Sequence, residues 1–373
     1  MVTKDIKYLV LSDIHLGHNI NKSNFIVDNL DYYFKKNIKL FRELDYLFLA
    51  GDVFDKLLVT SGKDFLIATE WLTNLITFCT IHNIKLRILE GTPSHDWNQC
   101  KVISTIIEKL KLKLDYKYID TLYIENDNGF TILYAPDEYK HKASDTLEEV
   151  KKLLIKENLT NVDIAIMHGQ FHYQIPMVRL ESSHDEDEYL NIVKYFISIG
   201  HIHTSSIYER ILAQGSFDRL AHNEEEDKGG MYIHLTPTSS SYQFIKNDKA
   251  MIFKTYRFEN ESVDEIVNIL QESLTKYPSG SNIRIICKED EYLYKSIDAI
   301  RSKFPTIRFK IDKPKKEETM KVKLLEETEA VGFAITKDNI IELLSKELEH
   351  YNFTEREYKI FRKEIEETIS SIV

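Results

Sequence analysis

Five times along the chain an apolar run of strand length stops at glycine or aspartate and at once presents a side chain that can bind a metal or move a proton. Tyr8 to Leu11 leads into Ser12-Asp13-Ile14-His15, Asp45 to Ala50 into Gly51-Asp52-Val53-Phe54-Asp55, and Ile84 to Glu90 into Gly91-Thr92-Pro93-Ser94-His95-Asp96. Val162 to Met167 leads into His168-Gly169, and Tyr195 to Ile199 into Gly200-His201-Ile202-His203. Continuous apolar runs suit strands buried on both faces. In an open α/β sheet ligands bind outside the carboxyl ends of such strands, so these side chains are expected at one rim. Asp13 and His15, two apart, would point the same way and could share one cation.

Between these runs the apolar residues recur at helical spacing, from Phe25 to Phe41, Asp64 to His82, Gln99 to Leu112 and Ser144 to Glu157. Tyr118 to Glu125 and Phe130 to Ala135 read as strands flanking the turn Asn126-Asp127-Asn128-Gly129. Ile207 to Ala213 and Met231 to Leu235 read as two further strands. The alternation predicts a layered α/β sandwich over residues 1–239. From about Ser240 strands and helices continue without ligand-type motifs, which predicts a small second α/β domain over 240–312. A charged segment follows as a linker, 313–335, and then 336–373 with two amphipathic helices. Ile340, Ile341, Leu344 and Leu348 form one apolar stripe; Tyr358, Phe361, Ile365 and Ile369 form the other.

A hydrophobic fraction of 43% in 373 residues supports a sizeable core. No apolar run approaches membrane-span length and Met1 to Lys7 lacks a signal-peptide layout, so the cytoplasm is the expected compartment and no membrane partner is expected. Cys79, Cys100 and Cys287 are widely spaced, which fits buried thiols and leaves any metal to histidine and carboxylate. The net charge of −11 counts against a nucleic-acid enzyme, since phosphate contacts favour basic surfaces, although metals and a partner subunit can offset it. The acidic runs Asp185 to Glu188 and Glu224 to Asp227 read as solvated loop faces.

Imidazoles and carboxylates in this mixture suit manganese, iron or zinc, and a carboxylate such as Asp52 can bridge two ions. Two ions can hold a phosphodiester, activate water and stabilise the leaving oxygen. Other residues carry plainer readings. Asp55 hydrogen-bonds its own turn or joins the site, and His18, His172 and His184 are expected on loop surface. His222 and His234 read as structural, and Tyr242, Phe244 and Tyr256 as core.

In chain order, D-x-H, G-D-x-x-D, a G-x-H-D-like element, His-Gly and G-H-x-H resemble the signature of calcineurin-like metallophosphoesterases. Ser12 to Gly17, Gly51 to Asp55, and Gln214-Gly215-Ser216 with Arg219 and Glu226-Asp227-Lys228-Gly229 look like the SbcD branch, nuclease subunits of double-strand-break processing complexes that include phage recombination nucleases. The resemblance spans about residues 6 to 235. It implies a metallophosphoesterase core with a small α/β capping domain and C-terminal helices. It further implies two divalent cations, manganese first: Asp13, His15 and His203 on one, His168 and His201 on the other, Asp52 bridging. His95 would act on the phosphate or leaving oxygen, with Asp96 supporting its ring. The family has Asn immediately before this histidine; here the loop is two residues longer and Ser94 takes that place, a poorer ligand for the second ion.

The implied function is a metal-dependent DNA exonuclease and endonuclease in recombination and repair. Its implied partners are DNA, a coiled-coil ATPase of the SbcC type docked on 336–373, and a second copy of the chain, in the host cytoplasm if phage-encoded. Two alternatives stay open: a phosphoesterase for a small phosphate ester or cyclic nucleotide, and a silent scaffold for the ATPase.

Overall fold

The computed structural model describes residues 5–137, 142–175, 182–287 and 291–312. The expected linker and docking helices lie outside the described residues.

Strict alternation along the strands builds the centre. In β1 (Ile6–Leu11), Tyr8 and Val10 face one way while Leu9 and Leu11 face the other, and all four are buried. In β2 (Tyr46–Ala50), Tyr46, Phe48 and Ala50 share the first face, Leu47 and Leu49 the second. Parallel pairing continues through β3 (Lys85–Leu89) to β4 (Tyr116–Ile119). Antiparallel β11 (Gly229–Leu235) and β12 (Ser240–Lys246) complete the sheet on the other side of β1.

A second six-stranded sheet runs in the order β5 (Tyr123–Asp127), β6 (Phe130–Ala135), β7 (Ile164–Gly169), β8 (Ile197–His201), β10 (Ile211–Ala213) and β9 (Ser206–Tyr208), parallel from β6 to β10. Between the sheets lie Tyr8, Val10, Phe48, Ile132, Tyr134 and Ile166. Helices Ser23–Lys36, Lys63–His82 and Val102–Leu110 cover the outer face of the first sheet, and Ala143–Lys156 with Glu186–Ile192 cover that of the second. The protein is thus mixed α/β, with parallel-rich sheets between helical layers. A three-stranded parallel sheet, β13 (Phe253–Arg257), β14 (Asn282–Ile286) and β15 (Arg308–Asp312), packs with helices Val263–Leu274 and Glu291–Lys303 around its own core.

Several boundaries differ from the sequence reading for identifiable reasons. Tyr118 to Glu125 is two strands, broken at Asp120-Thr121-Leu122, and carries the chain from the first sheet to the second. Ile207 to Ala213 is a hairpin rather than one strand, with Glu209 at φ 49° in its turn. Ser240 to Lys246, expected to open the second domain, pairs with β11 over seven residues and so belongs to the first sheet. The turn at Asn128-Gly129 has φ of 54° and 90°, the left-handed pair that a tight hairpin requires. Asp185 accepts from the Glu188 amide and caps a helix whose first turn holds Glu186, Asp187 and Glu188, so this acidic run complements a helix start. The three cysteines are buried, and no helix among the described residues is long and apolar enough to cross a membrane.

The two large sheets are tied by a buried fork. Arg87 of β3 donates from Nε and Nη2 to Glu125 of β5 at 2.8 and 2.7 Å, both residues being nearly inaccessible. Removing one partner breaks a buried pair, which costs up to about 3–5 kcal/mol, although Arg87 keeps the half-exposed Asp115 at 2.9 Å and Glu125 keeps Lys117 at 2.8 Å. Glu125→Ala should therefore lower the unfolding free energy by up to that much in urea titration. Arg87→Met with Glu125→Leu should lose clearly less.

Candidate metal centre

The backbone at the strand ends is bent to bring side chains together. Asp13, His15, Asp52 and His201 all have positive φ (51°, 54°, 51° and 99°), a region that costs a non-glycine residue about 1–3 kcal/mol. The loop after β1 lies along the loop after β2: the Asp13 amide donates to Gly51 O at 3.0 Å, Ile14 to Asp52 O at 2.8 Å and Leu16 to Val53 O at 2.9 Å. Glycine permits the close approach. A Cβ on Gly51 would stand 2.2 Å from Nδ1 of His168, and one on Gly91 would stand 2.1 Å from the Asp52 amide.

The second sheet delivers its histidines to the same place. The His201 amide donates to both carboxylate oxygens of Asp13 at 3.0 and 3.1 Å, joining the rim of β8 to that of β1. Nδ1 of His168 donates to Ala50 O at 2.8 Å, which leaves the Nε2 lone pair 3.3 Å from Oδ1 of Asp52. His203 donates from Nδ1 to Glu224 at 2.9 Å, so its Nε2 lone pair faces Nε2 of His15 at 3.1 Å. His15 in turn has Nε2 3.8 Å from Oδ2 of Asp52. Its Nδ1 lies 3.3 Å from Asp55 without hydrogen-bond geometry, which brings Asp55 to the edge of the site.

Three groups result, each with donor atoms within 4.8 Å of one another: Asp13, His15 and His203; His15, Asp52 and His95; Asp52, His168 and His201. Burial raises the Asp52 carboxyl, but the His168 charge and the hydrogen bonds from His168 and His95 hold it well below the usual carboxylate range. Burial lowers His168, whereas the Asp52 carboxylate carries it up to about 10, so a proton and a cation compete for the same Nε2. Ring nitrogens of His15 and His203 that face each other, and those of His168 and His95 against the Asp52 carboxylate, are a donor set that a divalent cation can take over from protons. These residues fit a metal.

Two expected roles change. Asp96 does not support the His95 ring. It is buried and accepts from the backbone amides of Asp52 (3.0 Å), Phe54 (2.9 Å) and Gly91 (2.8 Å), which makes it the tie between two strand-end loops. Burial and the neighbouring Asp52 push its carboxyl up to about 7 against the pull of those amides. The His95 ring is held instead by Asp52, with Nδ1 at 2.8 Å from Oδ2. This hydrogen bond raises the His95 pKa.

Ser94 is exposed on the helical turn Pro93–Asp96. The oxygen beside the second group belongs to Thr92, whose Oγ1 lies 3.3 Å from Oδ2 of Asp52, 3.3 Å from Nδ1 of His201 and 3.5 Å from Nε2 of His168. Its amide also donates to Oδ1 of Asp52 at 2.6 Å. Counting back from His95 selects Ser94; counting forward from Gly91 selects Thr92, because the two additional residues form the turn and leave the position after glycine in place.

Sequence reasoning also missed Glu224, assigned to a solvated run. It is buried, accepts from His203, and further accepts from Ser216 Oγ at 3.2 Å and the Leu220 amide at 3.1 Å. Burial raises its carboxyl, but His203 and Lys228 bring it down to about 2. Lys228, buried, donates to His203 O at 2.8 Å and pairs with Glu224 and Glu226. His184, expected on the surface, is buried between Phe171 and Tyr189. His18 accepts from the Asn21 amide at 3.1 Å, and His172 lies 3.8 Å from Glu186.

No family model matches the chain. No curated protein matches it either. Among solved structures it is similar to GAP50, the anchor in the inner membrane complex of Plasmodium, at 12% identity and a TM-score of 0.40 over 66% of this chain and 86% of that one. It is also similar to a glutamine-dependent NAD+ synthetase from Acinetobacter baumannii, at 9% identity and a TM-score of 0.30 over 94% and 73%. Likenesses this distant carry no argument about the site.

Two substitutions test the geometry. Glu224→Gln removes the carboxylate that orients His203 and should weaken manganese binding about 10- to 100-fold in calorimetric titration. Thr92→Asn places an amide oxygen beside Asp52, His168 and His201 and should tighten manganese binding at that group, whereas Ser94→Asn should leave it unchanged.

Proposed function

We propose that the chain is a metal-dependent phosphodiesterase of the calcineurin-like type, acting as the nuclease subunit of an SbcD-like DNA-processing complex. The single observation that carries this reading is the overlap of three histidine and aspartate groups through His15 and Asp52. Divalent cations, with manganese the first choice for this donor set, supply Lewis acidity toward a phosphoryl group and its attacking water.

In this reading Asp13, His15 and His203 hold one cation, His168 and His201 with Thr92 the other, and Asp52 serves both. His95 acts on the phosphate. Its hydrogen bond to Asp52 orients the ring and favours the protonated form, so its other nitrogen can donate to the leaving oxygen. The ring is about one-third exposed, which suits a group that meets substrate. Trp97, 53% exposed two residues on, is available to stack on a base.

The proposed partners are DNA, an SbcC-type ATPase docked on 336–373 and a second copy of the chain, and the proposed compartment is the cytoplasm. A second reading, a phosphoesterase for a small ester or cyclic nucleotide, is favoured by the net charge of −11. Incubation with manganese and labelled linear DNA, beside a generic phosphodiester and with or without such an ATPase, separates the two. DNA cleavage supports the nuclease; cleavage of the ester alone supports the second reading. His95→Ala should lower turnover about 10²- to 10⁴-fold while manganese binding stays near normal. Near-normal turnover in that variant would remove His95 from the mechanism.

A further inference from the structure

The turn that carries His95 is braced from several directions, yet it holds its largest side chain out in water. The helical turn Pro93–Asp96 runs into Trp97 and Asn98, both with left-handed backbone at φ 48° and 56°. Two such residues in succession, one of them bulky, persist only where the surroundings impose them. Here the Asn98 amide donates to buried Glu90 at 2.8 Å. Gln99 donates to Asp96 O at 3.1 Å and to Lys56 O at 3.0 Å, and accepts from the Leu58 amide at 2.8 Å, which ties the turn to the loop after β2. The Trp97 indole N–H donates to Ser94 O at 2.7 Å, which fixes the ring on the turn. The result is a tryptophan 53% exposed, whereas Trp71, the other tryptophan of the chain, is 2% exposed.

Position and chemistry limit what this ring can meet. It follows His95 by two residues, and the His95 ring is hydrogen-bonded to Asp52 at 2.8 Å and lies edge-on to His15 at a centroid separation of 5.0 Å. Two residues span at most about 7 Å of chain, so both side chains start from neighbouring points on the rim. With its N–H spent on Ser94, the indole offers a flat, uncharged face, and another flat ring is complementary to it. Nucleobases present such a ring and stack on aromatic side chains with little regard to sequence. In the interior of a duplex both faces of every base are already stacked, so only an unpaired or terminal base is free to take this position. Stacking also needs no basic surface, which suits a chain whose net charge is −11.

We propose that Trp97 is a base-stacking platform and a specificity-determining residue. It takes the unpaired nucleobase adjoining the phosphate at the metal centre, so that the protein selects unpaired strand over duplex interior. The inference deepens the phosphodiesterase reading and rests on it, because His95 on the same turn is what places the phosphate beside the ring.

Tryptophan emission of the full chain, in saturating manganese, reads the contact. The probes are a phosphorothioate oligothymidylate, a blunt duplex of equal length and inorganic phosphate. The single strand should quench the emission, the duplex should quench it less at the same concentration, and phosphate should leave it unchanged. Trp97→Phe keeps only the buried Trp71, so quenching should vanish while binding of the single strand persists in calorimetric titration. Trp97→Ala should lower single-strand affinity about 5- to 150-fold, the stacking of one base, with manganese and phosphate affinities unchanged. Trp97→Leu, apolar but not planar, should lose about as much. No quenching in the unaltered protein, unchanged single-strand affinity in Trp97→Ala, Trp97→Leu binding as the unaltered protein does, or a parallel loss for phosphate would overturn the assignment. Emission that shifts with protein concentration alone would overturn it too, by placing Trp97 against a second copy of the chain. Hydrolysis of a generic phosphodiester by the unaltered protein separates the two claims. Stacking that depends on Trp97 without any hydrolysis sustains the platform and sinks the phosphodiesterase reading; hydrolysis with binding indifferent to Trp97 does the reverse.

Discussion

The carboxylate of Asp13 accepting the His201 amide is the contact on which the rest of the site depends. It belongs to two structures at once. Asp13 follows the central strand of one sheet and His201 ends a strand of the other, so their union fixes how the two rims face each other. The bond from His168 to Ala50 O repeats the arrangement one strand further on. Without these links the candidate ligands would sit on separate loops. With them, seven side chains from the rims of two sheets converge in three overlapping groups, each able to hold a cation.

The convergence opposes folding locally. Four residues hold left-handed backbone, and the buried side chains of Asp13, His15, Asp52 and His168 press carboxylates and ring nitrogens together. The surrounding structure over-determines the arrangement. Asp96 collects three amides from two loops, and Glu224 and Lys228 enclose His203 from behind. Beneath them the inter-sheet core of Tyr8, Phe48 and Tyr134 and the Arg87–Glu125 fork hold the layers in register. Strain concentrated at a polar rim on a rigid apolar base is the pattern expected of a functional site.

Much of this was legible in the sequence because strand termini and ligand-type residues coincide there. Asp13, His15, Asp52, His95, His168, His201 and His203 each announce themselves by following an apolar run, and the structure brings them together. What escaped is non-local. Glu224 lies in an acidic run, and only the fold of residues 214–228 around His203 turns that run inward. Thr92 and Ser94 are both hydroxyls in one loop, and the turn between them decides which faces the site. Likewise, Tyr118 to Glu125 carries one apolar pattern, yet the chain changes sheets within it. His184 has no motif of its own and is buried by Phe171 and Tyr189.

The central claim is that overlapping ligand groups, sharing His15 and Asp52, hold divalent cations at the junction of two sheets. Anomalous diffraction from crystals grown with manganese tests it most directly. The account predicts two peaks, one within coordination distance of Asp13, His15 and His203, the other of His168, His201 and Thr92, with Asp52 in reach of both. No peak at this rim, or manganese bound only elsewhere on the protein, would contradict it.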